Sequence, residues 1–132
     1  MLHFDSGQDL LREHGDSAVD QYVADLARHL TSAVRQTDIA VKYTAWSLVF
    51  ILPDTPLASA QALAEKLRQM AKSFRPPWGE QEVSVSAIVA EETSRSGDDT
   101  EDRVTEWINR TEMGLDQVRQ NGGNVLVPLS TP

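Results

Sequence analysis

Between Asp38 and Pro53 the chain reads strand, tight turn, strand and stop. Ile39, Val41 and Tyr43 alternate with Ala40 and Lys42, which is the period of a pleated strand with two distinct faces. Leu48 to Leu52 is continuously apolar, the pattern of a central strand covered on both sides. The few residues between the two runs leave room only for a hairpin. A hairpin fixed at this point makes the chain a sheet protein, and the amphipathic segments on either side must pack against that sheet.

Those segments are legible. Met1 to Phe4 is a short strand candidate, and Ser6 to His14 carries pattern for no more than a helical turn. From Asp16 to Arg35, Val19, Tyr22, Val23, Leu26, Leu30 and Val34 recur at helical spacing, predicting one long helix with a single buried stripe. After the hairpin, Thr55-Pro56 is a helix start, with a capping hydroxyl and a proline at the first helical position. Ala60, Leu63, Leu67, Met70 and Phe74 mark the inner face of that helix, and the prolines at 76 and 77 force a loop after it. Val83, Val85, Ala87 and Val89 alternate as a strand, and Glu91 to Thr100 is a polar loop. A third helix turns Val104, Trp107, Ile108, Leu115 and Val118 inward and ends at Asn121-Gly122-Gly123, where glycine supplies a left-handed cap. Val125 to Val127 is a last strand, stopped by Pro128.

The order strand, helix, strand, strand, helix, strand, helix, strand is a split β-α-β unit with an appended helix and strand. It predicts an α/β (α+β) sandwich with a central, mostly antiparallel sheet flanked by helices. With 132 residues and no internal repeat, the chain is long enough for one domain, 1–132, with one core. Its abrupt start, almost inside a strand, leads us to expect an N-terminally truncated piece of a larger protein.

Composition narrows the function classes. A hydrophobic share of 40% fits a globular chain rather than a disordered one. A net charge of −8 opposes nucleic-acid binding and anionic membrane surfaces, which need clustered positive charge. The absence of cysteine excludes disulfides, thiolate metal sites and a cysteine nucleophile, and is compatible with the cytoplasm as the expected location. No apolar run reaches the length that spans a bilayer, so no membrane insertion by this segment is expected.

Several short motifs occur in an order that resembles the diguanylate cyclase (GGDEF) family. Asp5 stands at the second aspartate of that family's D-x-D, Gly15 at the glycine of its GH, Asp20 at the aspartate of its GD, and Arg35 and Asp38 at its R-x-x-D. Leu52-Pro53-Asp54-Thr55, Ala64-Glu65-Lys66-Leu67-Arg68 and Val83-Ser84-Val85-Ser86 resemble later family stretches, and Gly122 and Asn124 match the ends of its closing GRN. The resemblance covers nearly the whole chain. It implies the fold named above and a bacterial signalling role linked to cyclic di-GMP.

The departures from the family pattern fall on its chemistry. Family cyclases join two GTP molecules, one from each of two facing domains, using divalent metal held by carboxylates, because hard cations want anionic oxygens. Here the signature turn is Thr44-Ala45-Trp46-Ser47-Leu48, with Trp46 and Ser47 at the acidic positions and Thr44 and Ala45 at the glycines. His3 replaces the first D-x-D aspartate. Leu11 and Arg12 stand where the family reads guanine, Arg119 replaces a phosphate-facing lysine, and Gly123 replaces the GRN arginine. The resemblance therefore implies no catalytic residues, no metal and no cofactor: an inactive signalling or interaction module that pairs with other domains, with a protein partner or with itself as a homodimer. An active cyclase with unorthodox ligands, Asp5 with His3, ranks last.

The alternative is a cyclic di-GMP receptor using Arg35, Asp38 and Lys66, the last at the position of a second family arginine. An arginine can fork onto a phosphate or stack on guanine. The structural alternative is that Arg35 serves the end of its helix and Asp38 shapes the turn that follows. Trp46 admits two readings as well: an exposed anchor for a partner, or a side chain folded back into space that a nucleotide would otherwise take. Trp78 reads as a loop plug and Trp107 as core. His3, His14 and His29 lack a metal-ligand spacing, and Asp98, Asp99, Glu101 and Asp102 read as negative charge at a helix N-terminus.

Overall fold

A computed structural model of the chain describes residues 1–76, 78, 83–91 and 100–129, with 100–104 described in backbone alone. The elements are β1 (Leu2–Phe4), α1 (Gly7–His14), α2 (Asp16–Thr31), β2 (Ile39–Thr44), β3 (Ser47–Ile51), α3 (Leu57–Ser73), β4 (Val85–Val89), α4 (Thr100–Gln120) and β5 (Leu126–Pro128). The five strands form one sheet in the order β2-β3-β1-β4-β5. β1 lies antiparallel to both β3 and β4, β2 is antiparallel to β3, and β4 and β5 are parallel. The parallel pair needs a crossover, and α4 supplies it. The architecture is the mostly antiparallel α+β sandwich that the element order predicts.

Register decides which face each side chain serves. Leu2 stands opposite Leu48 and Ala87, and Phe4 opposite Val85. These residues join Val19, Tyr22, Val23, Leu26 and Leu30 of α2 and Leu67 and Ala71 of α3 in the main core. On the other face Ile88 packs with Val118 of α4 and Val127 of β5. Helices α2 and α3 thus cover one side of the sheet, and α4 covers the β4–β5 end of the other.

Four local expectations change. Ser6–His14 is not a single turn, because Gly7–His14 forms a full helix, with Leu10 and Leu11 packed on the main core. Helix α2 stops at Thr31 rather than Arg35, with Asp38 N–H donating to Arg35 O in the following turn at 3.0 Å. At α3 the N-cap is Pro56, and the Thr55 hydroxyl instead donates to Pro53 O at 3.1 Å. Finally, β3 is covered on both faces only over Ser47–Val49; Phe50 is half-buried and Ile51 is exposed. Ile39, Val41 and Tyr43 do share one face of β2, and that face is open to solvent.

Candidate functional site

The hairpin turn Thr44–Ser47 lies against the end of β1 and the start of α1. Phe4 N–H donates to Trp46 O at 2.9 Å. Trp46 N–H donates to Thr44 Oγ1 at 3.4 Å, and the Thr44 and Ser47 hydroxyls bond each other. These contacts fix the backbone so that the Trp46 indole turns inward, half-buried against the main core. It lies over Gly7, where even an added Cβ would overlap the indole. Of the two readings of Trp46, the folded-back one describes the structure. The indole covers the first turn of α1 rather than projecting from the hairpin tip.

Asp5, which stands at the second position of the D-x-D resemblance, sits at the end of β1. Its oxygens accept from Ser84 Oγ at 2.6 Å, from Ser86 Oγ at 2.9 Å and from Asn124 N–H at 2.9 Å. Its own N–H donates to Ser84 O at 3.0 Å. Gly123, with φ of 79°, packs so closely that a Cβ there would stand 2.8 Å from the carboxylate. Beside this cluster Arg68 is buried, donating to Glu65 at 2.7 and 2.9 Å and to Asn124 Oδ1 at 2.7 Å. Hydrogen bonds from Arg68, then from Gln69, hold the Glu65 carboxyl down to about 2. The result is a polar clasp joining β1, α3, β4 and the loop before β5.

A divalent cation does not fit these residues. Both Asp5 oxygens already accept from neutral donors, and the neighbouring turn offers indole and hydroxyl in place of carboxylate. Among the described residues no group of three or more His, Asp or Glu side chains is placed to hold a metal ion. His3, on β1, has its pKa lowered by burial, with Asp5 opposing and Arg119 adding to the shift, so its neutral form is favoured.

Arg35 and Asp38 come together as a local pair. The guanidinium meets the Asp38 carboxylate at 3.1 Å and also donates to Pro53 O at 2.8 Å and Thr55 Oγ1 at 2.7 Å. The Arg35 amide adds a bond to Asp38 at 2.9 Å. Burial alone would raise the Asp38 pKa; the bonds from Arg35 outweigh it and hold the carboxyl below its usual range. Asp38 is shut away, 1% exposed, while Arg35 remains 56% exposed. The pair lines an open hollow of about 280 Å³ with Val34, Pro56, Ser59 and Leu63. Lys66 is not part of it. One turn further along α3, it lines a second hollow with His29, Gln69, Phe74 and Arg75. The predicted trio is thus split: two members meet, and the third serves another depression.

The remaining candidates take structural places. Lys42 and Asp20 pair at 2.7 Å, Arg119 pairs with Asp116 at 3.0 Å, and Arg12 stands 3.5 Å from Asp9. Leu11 is half-buried. Gly15 takes φ of 85° between α1 and α2. Trp78 plugs its loop, stacked on His14 at 4.2 Å and set edge-on to Tyr22 at 5.3 Å. His29 stacks on Phe74 at 5.2 Å. Trp107 is half-buried and donates to Ala90 O at 3.1 Å. Asp98, Asp99 and the side chains of Val104, Glu101 and Asp102 lie outside the described residues. What sequence reading missed is the clasp. Its signal is Ser84 and Ser86, polar residues at alternate positions of an apolar segment, facing one partner.

The family profile described as diguanylate cyclase, GGDEF domain, matches residues 1–125. The response regulator PleD of Caulobacter vibrioides is 27% identical over 115 residues, which are 86% of this chain and 25% of PleD, so the chain spans a quarter of that relative. The active GGEEF domain of a diguanylate cyclase from Vibrio cholerae superposes with a TM-score of 0.80 at 18% identity, over 99% of this chain and 81% of that one. Diguanylate cyclase SiaD of Pseudomonas aeruginosa, solved with its activator SiaC, gives 0.79 at 22% identity, over 97% and 48%. The GGDEF domain of DgcB from Caulobacter crescentus, solved with c-di-GMP, gives 0.71 at 17% identity, over 96% and 74%. At these identities the structural likeness carries the fold.

Proposed function

The chain belongs to the diguanylate cyclase GGDEF domain family, and from that premise we propose that it works in signalling as a catalytically inactive interaction module. The observation that carries this reading is the state of Asp5. A metal-binding carboxylate must present free lone pairs to the ion, and here three neutral donors of the protein's own chain take three of its roughly four acceptor sites, two of them on Oδ2. The turn that would supply a second acidic group supplies Trp46, whose indole lies over the helix start where an incoming anion would find backbone N–H groups. Restoring a site would need the clasp broken and the indole moved. A solved relative binds an activator protein, which supports partner binding as the retained role. The test is incubation with GTP and magnesium or manganese, read by chromatography. No dinucleotide should form, and any such product would overturn the proposal.

A second reading keeps cyclic di-GMP as ligand. It is favoured by the exposed Arg35 guanidinium over a hollow of about 280 Å³, and a solved relative holds that ligand. Against it stand the bonds Arg35 already makes to Asp38, Pro53 and Thr55, and the separation of Lys66. Titration calorimetry with cyclic di-GMP decides. Saturable heat that disappears in Arg35→Ala supports a receptor, and no heat leaves the module reading alone.

A further inference from the structure

Helix α4 ends in a tightly bonded turn. Gly122, at φ of 76°, takes the left-handed position after the helix. Its N–H donates to Arg119 O at 3.1 Å, and Gly123 N–H reaches back to Val118 O at 2.9 Å. The Asn121 side chain joins them, with Nδ2 donating to Gln117 O at 2.7 Å. Asn121 and Gly122 are both exposed. The next two residues belong to the clasp. Gly123 packs against the Asp5 carboxylate, Asn124 N–H donates to it at 2.9 Å, and Asn124 Oδ1 accepts from Arg68 at 2.7 Å. The Asn121–Gly122 peptide is thus held by the helix on one side and by the clasp on the other.

We infer that Asn121 is a site of spontaneous deamidation, that the folded clasp holds the reaction back, and that the reaction, once complete, loosens the clasp. The nucleophile is the amide nitrogen of the following residue, and glycine there has no Cβ to obstruct its approach. Hydroxide takes the Gly122 amide proton, the nitrogen bonds to Asn121 Cγ, the Cγ–Nδ2 bond breaks, and Nδ2 leaves as ammonia after taking a proton from water. Water then opens the cyclic imide at either carbonyl. Opening at Cγ gives aspartate, and opening at the main-chain carbonyl gives isoaspartate, whose backbone runs through Cβ. Asn109 and Asn124 precede Arg110 and Val125, whose side chains hinder the same attack. In the fold both reacting groups of Asn121-Gly122 are engaged. The side chain points back one turn to Gln117, and the Gly122 N–H is given to Arg119. The last turn of α4 must open before they can meet. Either product then weakens that turn. A carboxylate cannot donate to Gln117 O, and it sets negative charge at the negative end of α4. Isoaspartate also lengthens the main chain just ahead of Gly123 and Asn124, which shifts both from their places beside Asp5 and Arg68.

Peptide mapping during incubation in mild alkali at body temperature tests this. Trypsin cleaves after Arg119, and fragment sequencing by mass spectrometry tells Asn121 from Asn124. Isoaspartate is read by methyl transfer from S-adenosylmethionine with an isoaspartyl methyltransferase. Deamidation should concentrate at Asn121 and run about tenfold slower in the folded chain than in urea, since only the open turn reacts. Asp5→Ala removes the acceptor of Asn124 N–H and should raise the folded-state rate about threefold. Should that variant fail to fold, Asn124→Gly makes the same comparison, because glycine keeps the positive φ of 56° and takes away the Arg68 bond. Asn121→Asp, a uniform form of one product, should melt about 3 °C below the unsubstituted chain. Equal rates in the folded chain and in urea overturn the proposal. So does a rate indifferent to the clasp substitution, an Asn121 that reacts in neither state, or an unchanged melting temperature in Asn121→Asp. The proposal stands apart from the reading of catalysis, and no outcome here depends on whether GTP is turned over.

Discussion

Asp5 shows how one residue type can serve two unlike purposes. Its place at a strand end suits metal binding, yet the surroundings turn it into a structural acceptor. Ser86 is fully buried, and its hydroxyl has Asp5 as acceptor. Removing the carboxylate strands that hydroxyl, while the Asn124 N–H, on an exposed residue, can turn to water; an unsatisfied buried donor costs more than the bond it loses. Asp5→Ala should therefore destabilise the fold by about 2–3 kcal/mol in urea or thermal unfolding. Were Asp5 held for a ligand and idle in the fold, the same substitution would leave stability within about 0.5 kcal/mol. The residue was visible in the sequence as a motif position. Its partners were not, because Ser84, Ser86 and Asn124 come from segments about eighty and a hundred and twenty residues away.

At the scale of elements, α1 and the β2–β3 turn are fitted to each other. A helix of eight residues is marginal alone, and packing of Leu10, Leu11 and the indole of Trp46 stabilises it. That explains why Ser6–His14 shows so little pattern of its own. Gly7→Ala should destabilise by about 1–3 kcal/mol, as overpacking does. Most of that cost should vanish in a Trp46→Ala background, since a double-mutant cycle isolates the contact. Additive effects would show that Gly7 and Trp46 do not meet. The early end of α2 has a comparable cause. Arg35 continues the apparent helical register, but its guanidinium bonds to Asp38, Pro53 and Thr55 hold it in the turn instead. Those bonds also draw Thr55 away from the capping role its position suggests.

For the whole molecule the asymmetry of the sheet matters most. Among the described residues, one face is roofed by α2 and α3, with Lys42 of β2 left exposed, and α4 roofs the other at the β4–β5 end. The two faces should respond differently to substitution. Leu26→Ala, in the fully buried α2 stripe, should cost about 3 kcal/mol through the cavity it leaves. Val41→Thr, on the open face, should change the stability of the monomer by less than about 0.5 kcal/mol. Equal losses would mean that the β2–β3 face is covered after all. Alternation alone could not foresee this. A period of two separates the faces of a strand without saying which of them finds a helix.

Apart from α1, local pattern was sufficient for the element types, their order, the hairpin, the glycine stop at 122–123 and the stripe of α2, because each follows from backbone preference and side-chain periodicity over a few neighbours. Matching residues one by one also located Arg35, Asp38, Asp5 and the altered turn. Whether Lys66 could reach Arg35, where the Trp46 indole points, what occupies the Asp5 oxygens and which strand face stays wet were settled by the folded chain alone. These depend on distances between segments remote in sequence, fixed by how the helices dock on the sheet, and no local rule encodes them.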